Sequence, residues 1–281
     1  RAVPLNPKPN KTVDTSYFIF CGLIAIFIIG MLGMSQFAAL IKFWPYNLSV
    51  SLQNYRFDMM QGAGWRAFTN SIKLSSWTAI IGTCVIFFGA YLYEKTSRFE
   101  FGKQVLNMLV LMPLAVPGMV LGLAYILFFN QPNNPLNFIY ATMSIMVLNT
   151  IVHYYTVVHL TSVTALKQMD PEFESIAVSL KSPFYRTFAK VTAPVCLPTI
   201  LNIAIYLFMA AMTSVSGLIF LYSGDTPIAS ISVLNMEDDG NIAGAAAMAM
   251  MIFYASTMAR ILHSLVSRFV LRHSQAWRSR T

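Results

Sequence analysis

The chain has 281 residues, of which 56% are hydrophobic and only 11% charged, with a formal net charge of +8. Ordinary globular domains carry roughly 25% charged residues, so this composition excludes a water-soluble globule. It also argues against a nucleic-acid partner, because basic residues in so apolar a chain belong to the loops that orient membrane helices.

A hydrocarbon core of about 30 Å needs roughly 20 apolar residues as helix. Six stretches meet that length, at 17–36, 72–93, 104–129, 138–160, 195–221 and 241–265. The expected fold is therefore all-α and transmembrane, with a tail over 1–16, a six-helix domain over 17–265 and a basic tail over 266–281. The first apolar run, after Lys11, is too long for a signal-peptide core and lacks a small-residue cleavage pattern after it, so it reads as a retained span. Because the first residue is Arg1 and not Met, the native start is expected to be trimmed or to lie upstream, in a chain that could be longer.

Between the first two spans, Phe37 to Asn70 mixes charges with Trp44, Pro45, Tyr46 and Trp65 and is expected to lie along the outer interface. The third span is interrupted by Pro113, Pro117 and Gly118, either as a simple kink or as a break beside a water-lined path. In the fourth span, His153 is expected to be a hydrogen-bonded core residue and not a proton relay. Asn149 in that span, and Thr213, Ser214 and Ser216 in the fifth, are polar groups that either line a path or bond between helices. The last span opens on Gly244, Ala245, Ala246, Ala247 and Ala249, a face suited to close packing.

Lys and Arg set the orientation. With the N-terminus inside, fifteen of the nineteen basic residues fall in cytoplasmic segments, and both termini are cytoplasmic. The outer side keeps Lys42, Arg56, Arg66 and Lys73, and its last loop carries Asp225, Glu237, Asp238 and Asp239.

The most informative segment is the cytoplasmic loop 161–194. Asp170 is placed to cap a helix, Pro171 suits its first position, and Glu172 and Glu174 put negative charge at the positive end of the helix dipole. Phe173, Ile176, Ala177 and Leu180 then follow the i, i+3, i+4, i+7 spacing of one apolar face, until Pro183 breaks the run. A second short helix from Phe184 should place Phe184, Phe188 and Val191 on one side and Arg186 and Lys190 on another. Two such amphipathic helices, each too small to fold alone, make a docking knob.

The run Asp170-Pro171-Glu172-Phe173-Glu174-Ser175-Ile176-Ala177-Val178-Ser179-Leu180-Lys181, with Val191-Thr192-Ala193-Pro194, resembles the "EAA" loop of type I ABC importer permeases. In that pattern Ser175, Ile176 and Ala177 occupy the Glu-Ala-Ala positions, Lys181 the Gly, Val191 the Ile and Ala193 the Leu; only Ala177 and Pro194 match strictly. Further segments are similar to 2-aminoethylphosphonate importer permeases, which are relatives of the ferric-iron and spermidine (polyamine) permeases. These are Trp44-Pro45-Tyr46-Asn47-Leu48-Ser49, Leu114 to Tyr125, Pro194-Val195-Cys196-Leu197-Pro198, Phe220-Leu221-Tyr222-Ser223 and Val233-Leu234-Asn235-Met236.

The resemblance implies the six-helix, MetI-like permease fold in a bacterial inner membrane. It also implies a second permease unit, homologous or fused, a periplasmic solute-binding protein, and a dimer of cytoplasmic ABC ATPases seated on the loop. The sequence has no G-x-x-x-x-G-K-[ST] phosphate loop, so ATP and magnesium are expected on the ATPase, with no cofactor, metal or catalytic residue in this chain. Cys21, Cys84 and Cys196 lack metal-ligand or redox spacing. An ion-coupled carrier is disfavoured because no Lys, Arg, Asp or Glu falls mid-span, and a membrane enzyme because no catalytic grouping is found.

Overall fold

The computed structural model describes residues 10–43, 46–57, 64–96, 100–170 and 172–274. Four helices are long and apolar enough to cross a membrane alone: α1 (Lys11–Leu40), α2 (Gly64–Lys95), α5 (Met143–Lys167) and α11 (Ile242–Ser274). Two bent pairs bring the total to six where each pair counts as one span, namely α3 (Glu100–Ala115) with α4 (Gly118–Phe129), and the α7 (Phe184–Thr187) to α8 (Ala193–Val195) stretch with α9 (Leu197–Thr213). Helices fall on each of the six expected spans, four of them unbroken and two bent, and most are longer or differently bounded than the hydropathy suggests.

The centre of the bundle is α2, which packs on α5 and α9, while α5 and α9 also touch each other. Leu74, Ile86, Ile145, Met146, Ile151 and Leu207 fill this contact. A second apolar cluster joins Ala39 at the end of α1 to α10 (Ala229–Asp238) and α11 through Met212, Met236, Ala247 and Met248. The small residues read as a packing face in the last span do face this cluster, Ala245 and Ala247 among them. By contrast α1 touches mainly α11, and Ala39 is its one buried residue.

The interface segment after α1 departs from all-α structure. Ile41–Phe43 pairs antiparallel with Asn47–Val50, and Asn54 closes the hairpin by donating to the carbonyls of Ala39 (3.1 Å) and Ile41 (2.5 Å). Trp44 and Pro45 lie outside the described residues. Trp65 belongs to α2, which begins eight residues before the expected span, and its ring meets Phe57 edge-on at 5.2 Å.

Prolines decide where the third span breaks. Pro113 sits inside α3 without ending it, and three residues before it the Val110 carbonyl accepts from Thr156 Oγ1 of α5 at 2.5 Å. Pro117 is extended, with φ −57° and ψ 138°, and α4 leaves α3 at 110°. A 110° turn is more than a kink.

The fifth span was expected to run helical to residue 221, but α9 ends at Thr213, where Ser214 turns extended with ψ 130°. Residues 216–221 continue as turns. The freed carbonyls find side-chain donors: Ser230 Oγ bonds Ser214 O at 2.7 Å, and Asn149 Nδ2 bonds Gly217 O at 2.9 Å. Small and hydroxylic residues offer little helix propensity here, and these bonds stabilise the unwound form.

Candidate functional site

Two places concentrate the residues singled out by the sequence. The first is the loop between α5 and α9. Asp170 caps α6 (Glu172–Ser179) as expected, its carboxylate accepting from the Glu172 N–H at 3.0 Å. Pro171 and the side chain of Glu174 lie outside the described residues. The helix ends in a Schellman arrangement, in which Ser182 N–H bonds Ala177 O at 2.9 Å and Lys181 adopts φ +49°. Lys181 therefore occupies a left-handed position that glycine adopts freely, and this is the position where the EAA pattern carries glycine.

Phe173, Ile176, Ala177 and Leu180 share one face of α6, as their spacing requires, and form one wall of an open cleft of about 480 Å³. Pro183, Arg186, Thr187, Lys190 and Val191 form the other wall. Ile176 and Leu180 remain 55% and 74% exposed, so the apolar wall is unfilled by the chain itself.

The second helix differs from expectation. It is a four-residue α7 that passes into a π turn over Phe188–Thr192, and the face assignment changes with it. Val191 joins Arg186 and Lys190 on the cleft, whereas Phe188 turns away to meet the rings of Phe87, Phe88 and Tyr91 on α2. Phe184 is exposed and lies against Tyr185. A π turn adds residues per turn, so an α-helical reading of 184–191 loses phase.

The second place is the break between α3 and α4. A Cβ on Gly118 would lie 2.5 Å from Ser216 Oγ and 3.1 Å from His153 Cε1, and one on Gly122 would lie 2.7 Å from Gly217 O. The Gly118-x-x-x-Gly122 spacing is what lets the 214–217 turn sit against α4, a signal present in the sequence and not used in reading it. Asn149 and Ser214 are buried in these contacts, while Thr213 and Ser216 are exposed. His153, expected to be hydrogen-bonded, leaves Nδ1 without a partner among the described residues, as does Asn149 Oδ1.

Residues 85–272 match the family described as binding-protein-dependent transport system inner membrane component. The chain belongs to this family. Its fold is that of the type I ABC importer permeases, and its place is the inner membrane. Among similar proteins, the ferric transport system permease protein FbpB of Actinobacillus pleuropneumoniae is 27% identical over 223 residues, 79% of this chain and 32% of that protein. A probable sulfate transport system permease protein of Helicosporidium is 29% identical, covering 71% of this chain and 78% of its own. A putative 2-aminoethylphosphonate transport system permease of Salmonella paratyphi A is 23% identical, covering 66% and 72%. The chain spans about a third of the length of the ferric relatives it matches. A chain of a bacterial alginate ABC transporter, solved in complex with alginate pentasaccharide-bound periplasmic protein, superposes with a TM-score of 0.74 at 13% identity, over 92% of this chain and 97% of that one.

In this permease the family match contains both the α6–α7 loop and the α4 break, and the loop joins the bundle through Phe188. Among the described residues no group of three or more His, Cys, Asp or Glu is arranged to hold a metal ion.

Proposed function

We propose that this permease forms one side of the solute path of an ATP-driven importer, with the α6–α7 cleft as the seat of a cytoplasmic ABC ATPase. The observation that carries the reading is the cleft itself: an apolar wall of Phe173, Ile176, Ala177 and Leu180 faces a wall bearing Arg186 and Lys190 and stays open in the isolated chain. Burying each large apolar side chain there would contribute on the order of 1.5–3 kcal/mol, so a partner surface of matching shape binds firmly. The ATPase pair carries ATP and magnesium, a periplasmic binding protein delivers the solute, and a second permease unit completes the path. Both termini and the 161–194 loop are on the cytoplasmic side, following the charge distribution. ATP-driven closure of the ATPases is then passed as rigid-body motion through Phe188 into α2.

Ferric iron is the leading cargo, because relatives named for ferric transport match at 27–36% identity. The 2-aminoethylphosphonate reading rests on the segments around Trp44, Pro117 and Tyr222 and on a relative at 23% identity. Uptake by cells with and without the chain separates the two. Loss of iron(III) accumulation with growth on 2-aminoethylphosphonate intact supports iron, and the converse supports the phosphonate. ATP-loaded vesicles containing the whole assembly should accumulate the solute, and vesicles without ATP should not.

A further inference from the structure

The cytoplasmic half of α11 presents two different surfaces to its surroundings. On one side Met258, Ile261, Leu262, Leu265 and Phe269 are exposed and apolar, as contact with lipid chains requires. On the other, Arg260, Ser264 and Arg268 are exposed at intervals of four residues and so follow one another along the helix. Between these sides His263 and Ser267 are half-buried, and His263 is hydrogen-bonded to the Leu201 backbone of α9. Packing on α9 thus fixes the rotation of α11 and leaves both arginines on its outer surface.

Depth decides what meets them. α11 starts at Ile242, three residues after Asp239 of the outer loop. At 1.5 Å per residue Arg260 lies about 27 Å and Arg268 about 39 Å along the helix, so the two bracket the inner edge of a ~30 Å hydrocarbon core and the headgroup layer beyond it. Among the described residues neither guanidinium has a carboxylate within ion-pair distance. An arginine at the end of a span extends toward the interface, where the anions are lipid phosphates.

We infer that the inner end of α11 binds the phosphate headgroup of an anionic phospholipid in the cytoplasmic leaflet. Arg260 and Arg268 reach toward each other and hold the phosphate between them, because the guanidinium fork matches phosphate oxygens, and the Ser264 hydroxyl donates from the turn in the middle. The acyl chains lie along Ile261, Leu265 and Phe269. A soluble phosphate would meet the same arginines but gain nothing from that apolar side, so the occupant is a lipid. Leu201 is near the start of α9, which continues from the α6–α7 knob, and the bound lipid therefore braces the end of the bundle beside the knob.

The test uses the purified assembly in a zwitterionic detergent and reads the thermal unfolding midpoint of this chain as phosphatidylglycerol or phosphatidylcholine is titrated in. Phosphatidylglycerol should raise the midpoint by several degrees more than phosphatidylcholine. Arg260→Gln with Arg268→Gln should need about tenfold more phosphatidylglycerol for the same shift, since each cation at an anionic surface adds to the attraction. Arg268→Gln alone, which lies beyond the hydrocarbon, gives the comparison if the double variant does not assemble, with a loss of about threefold expected. Lys167→Gln removes an exposed charge from the same side of the membrane and should keep the full response. Equal shifts with the two lipids, or an unchanged phosphatidylglycerol titration in the arginine variants, overturns the inference. A loss in Lys167→Gln as large as in the double variant also overturns it, because the attraction is then diffuse. So does an equal shift from inorganic phosphate alone, which would assign the arginines to a soluble anion.

Discussion

The ring of Phe188 lies 4.8 Å from that of Tyr91, and this contact joins the α6–α7 knob to the central helix of the bundle. Phe188 also meets Phe87 and Phe88, so one side chain of the loop is held by three rings of α2. Aromatic pairs contribute about 0.5–1.5 kcal/mol each beyond their burial. Phe188→Ala should therefore leave the cleft and its partner in place while loosening the link to α2. Co-purification of the ATPase should be retained and ATP hydrolysis should continue, with uptake per ATP hydrolysed falling severalfold. Equal loss of binding and uptake would show that Phe188 holds the cleft in shape and does not transmit motion.

Lys181 and Gly240 occupy the same place in two helix ends. After α10, Gly240 has φ +77° and Asn241 N–H bonds Met236 O at 2.8 Å, as Ser182 N–H bonds Ala177 O after α6. A side chain in the left-handed region costs roughly 1–2 kcal/mol that glycine avoids. Lys181→Gly should keep full uptake and raise resistance of the loop to proteolysis, whereas Lys181→Val should lower both. The comparison is made at matched expression by uptake and by limited digestion.

The tight approach of α4 to the 214–217 turn gives a stability prediction. Gly122→Leu would drive its side chain into Gly217 O, 2.7 Å from the Cβ position, and overpacking of this kind costs about 1–3 kcal/mol. The midpoint of thermal unfolding in detergent should drop by several degrees. Gly22→Leu on α1, where nothing lies within 4 Å of the added Cβ, should leave it unchanged.

Topology has a direct check. Arg66 at the start of α2 pairs with Asp225 at 3.1 Å, which puts the N-terminus of α2 and the loop after α9 on one side, while Tyr91 at the other end of α2 meets the α6–α7 knob. Cysteines introduced by Asn133→Cys and Ser182→Cys should label from opposite faces of the membrane, Asn133→Cys from outside. Labelling of both from one face would contradict six spans.

The spans were legible because length and apolarity are properties of a stretch, and the α6 face was legible because Phe173, Ile176, Ala177 and Leu180 keep an α-helical period. What escaped the sequence were departures from that period. The π turn at 188–192 sent Phe188 to α2 and Val191 to the cleft, and the unwinding after Thr213 depends on donors from Asn149 and Ser230, 68 and 16 residues away from the carbonyls they bond. Such bonds are tertiary, and neither hydropathy nor local propensity contains them. The 110° break at Pro117 was marked by its residues, but its size depends on the Gly118 and Gly122 contacts with 214–217.

The central claim is that the α6–α7 cleft couples this permease to its motor, and Ala177→Asp tests it most directly. Ala177 lies on the apolar wall of the cleft, outside the spans, so the substitution leaves insertion and helix packing untouched. Desolvating a carboxylate on the apolar wall when the partner seats would cost a few kcal/mol, and each 1.4 kcal/mol is about tenfold in affinity. At matched expression, ATPase co-purification and ATP-dependent uptake should both be lost while the permease remains in the membrane. Normal values for both would contradict the account.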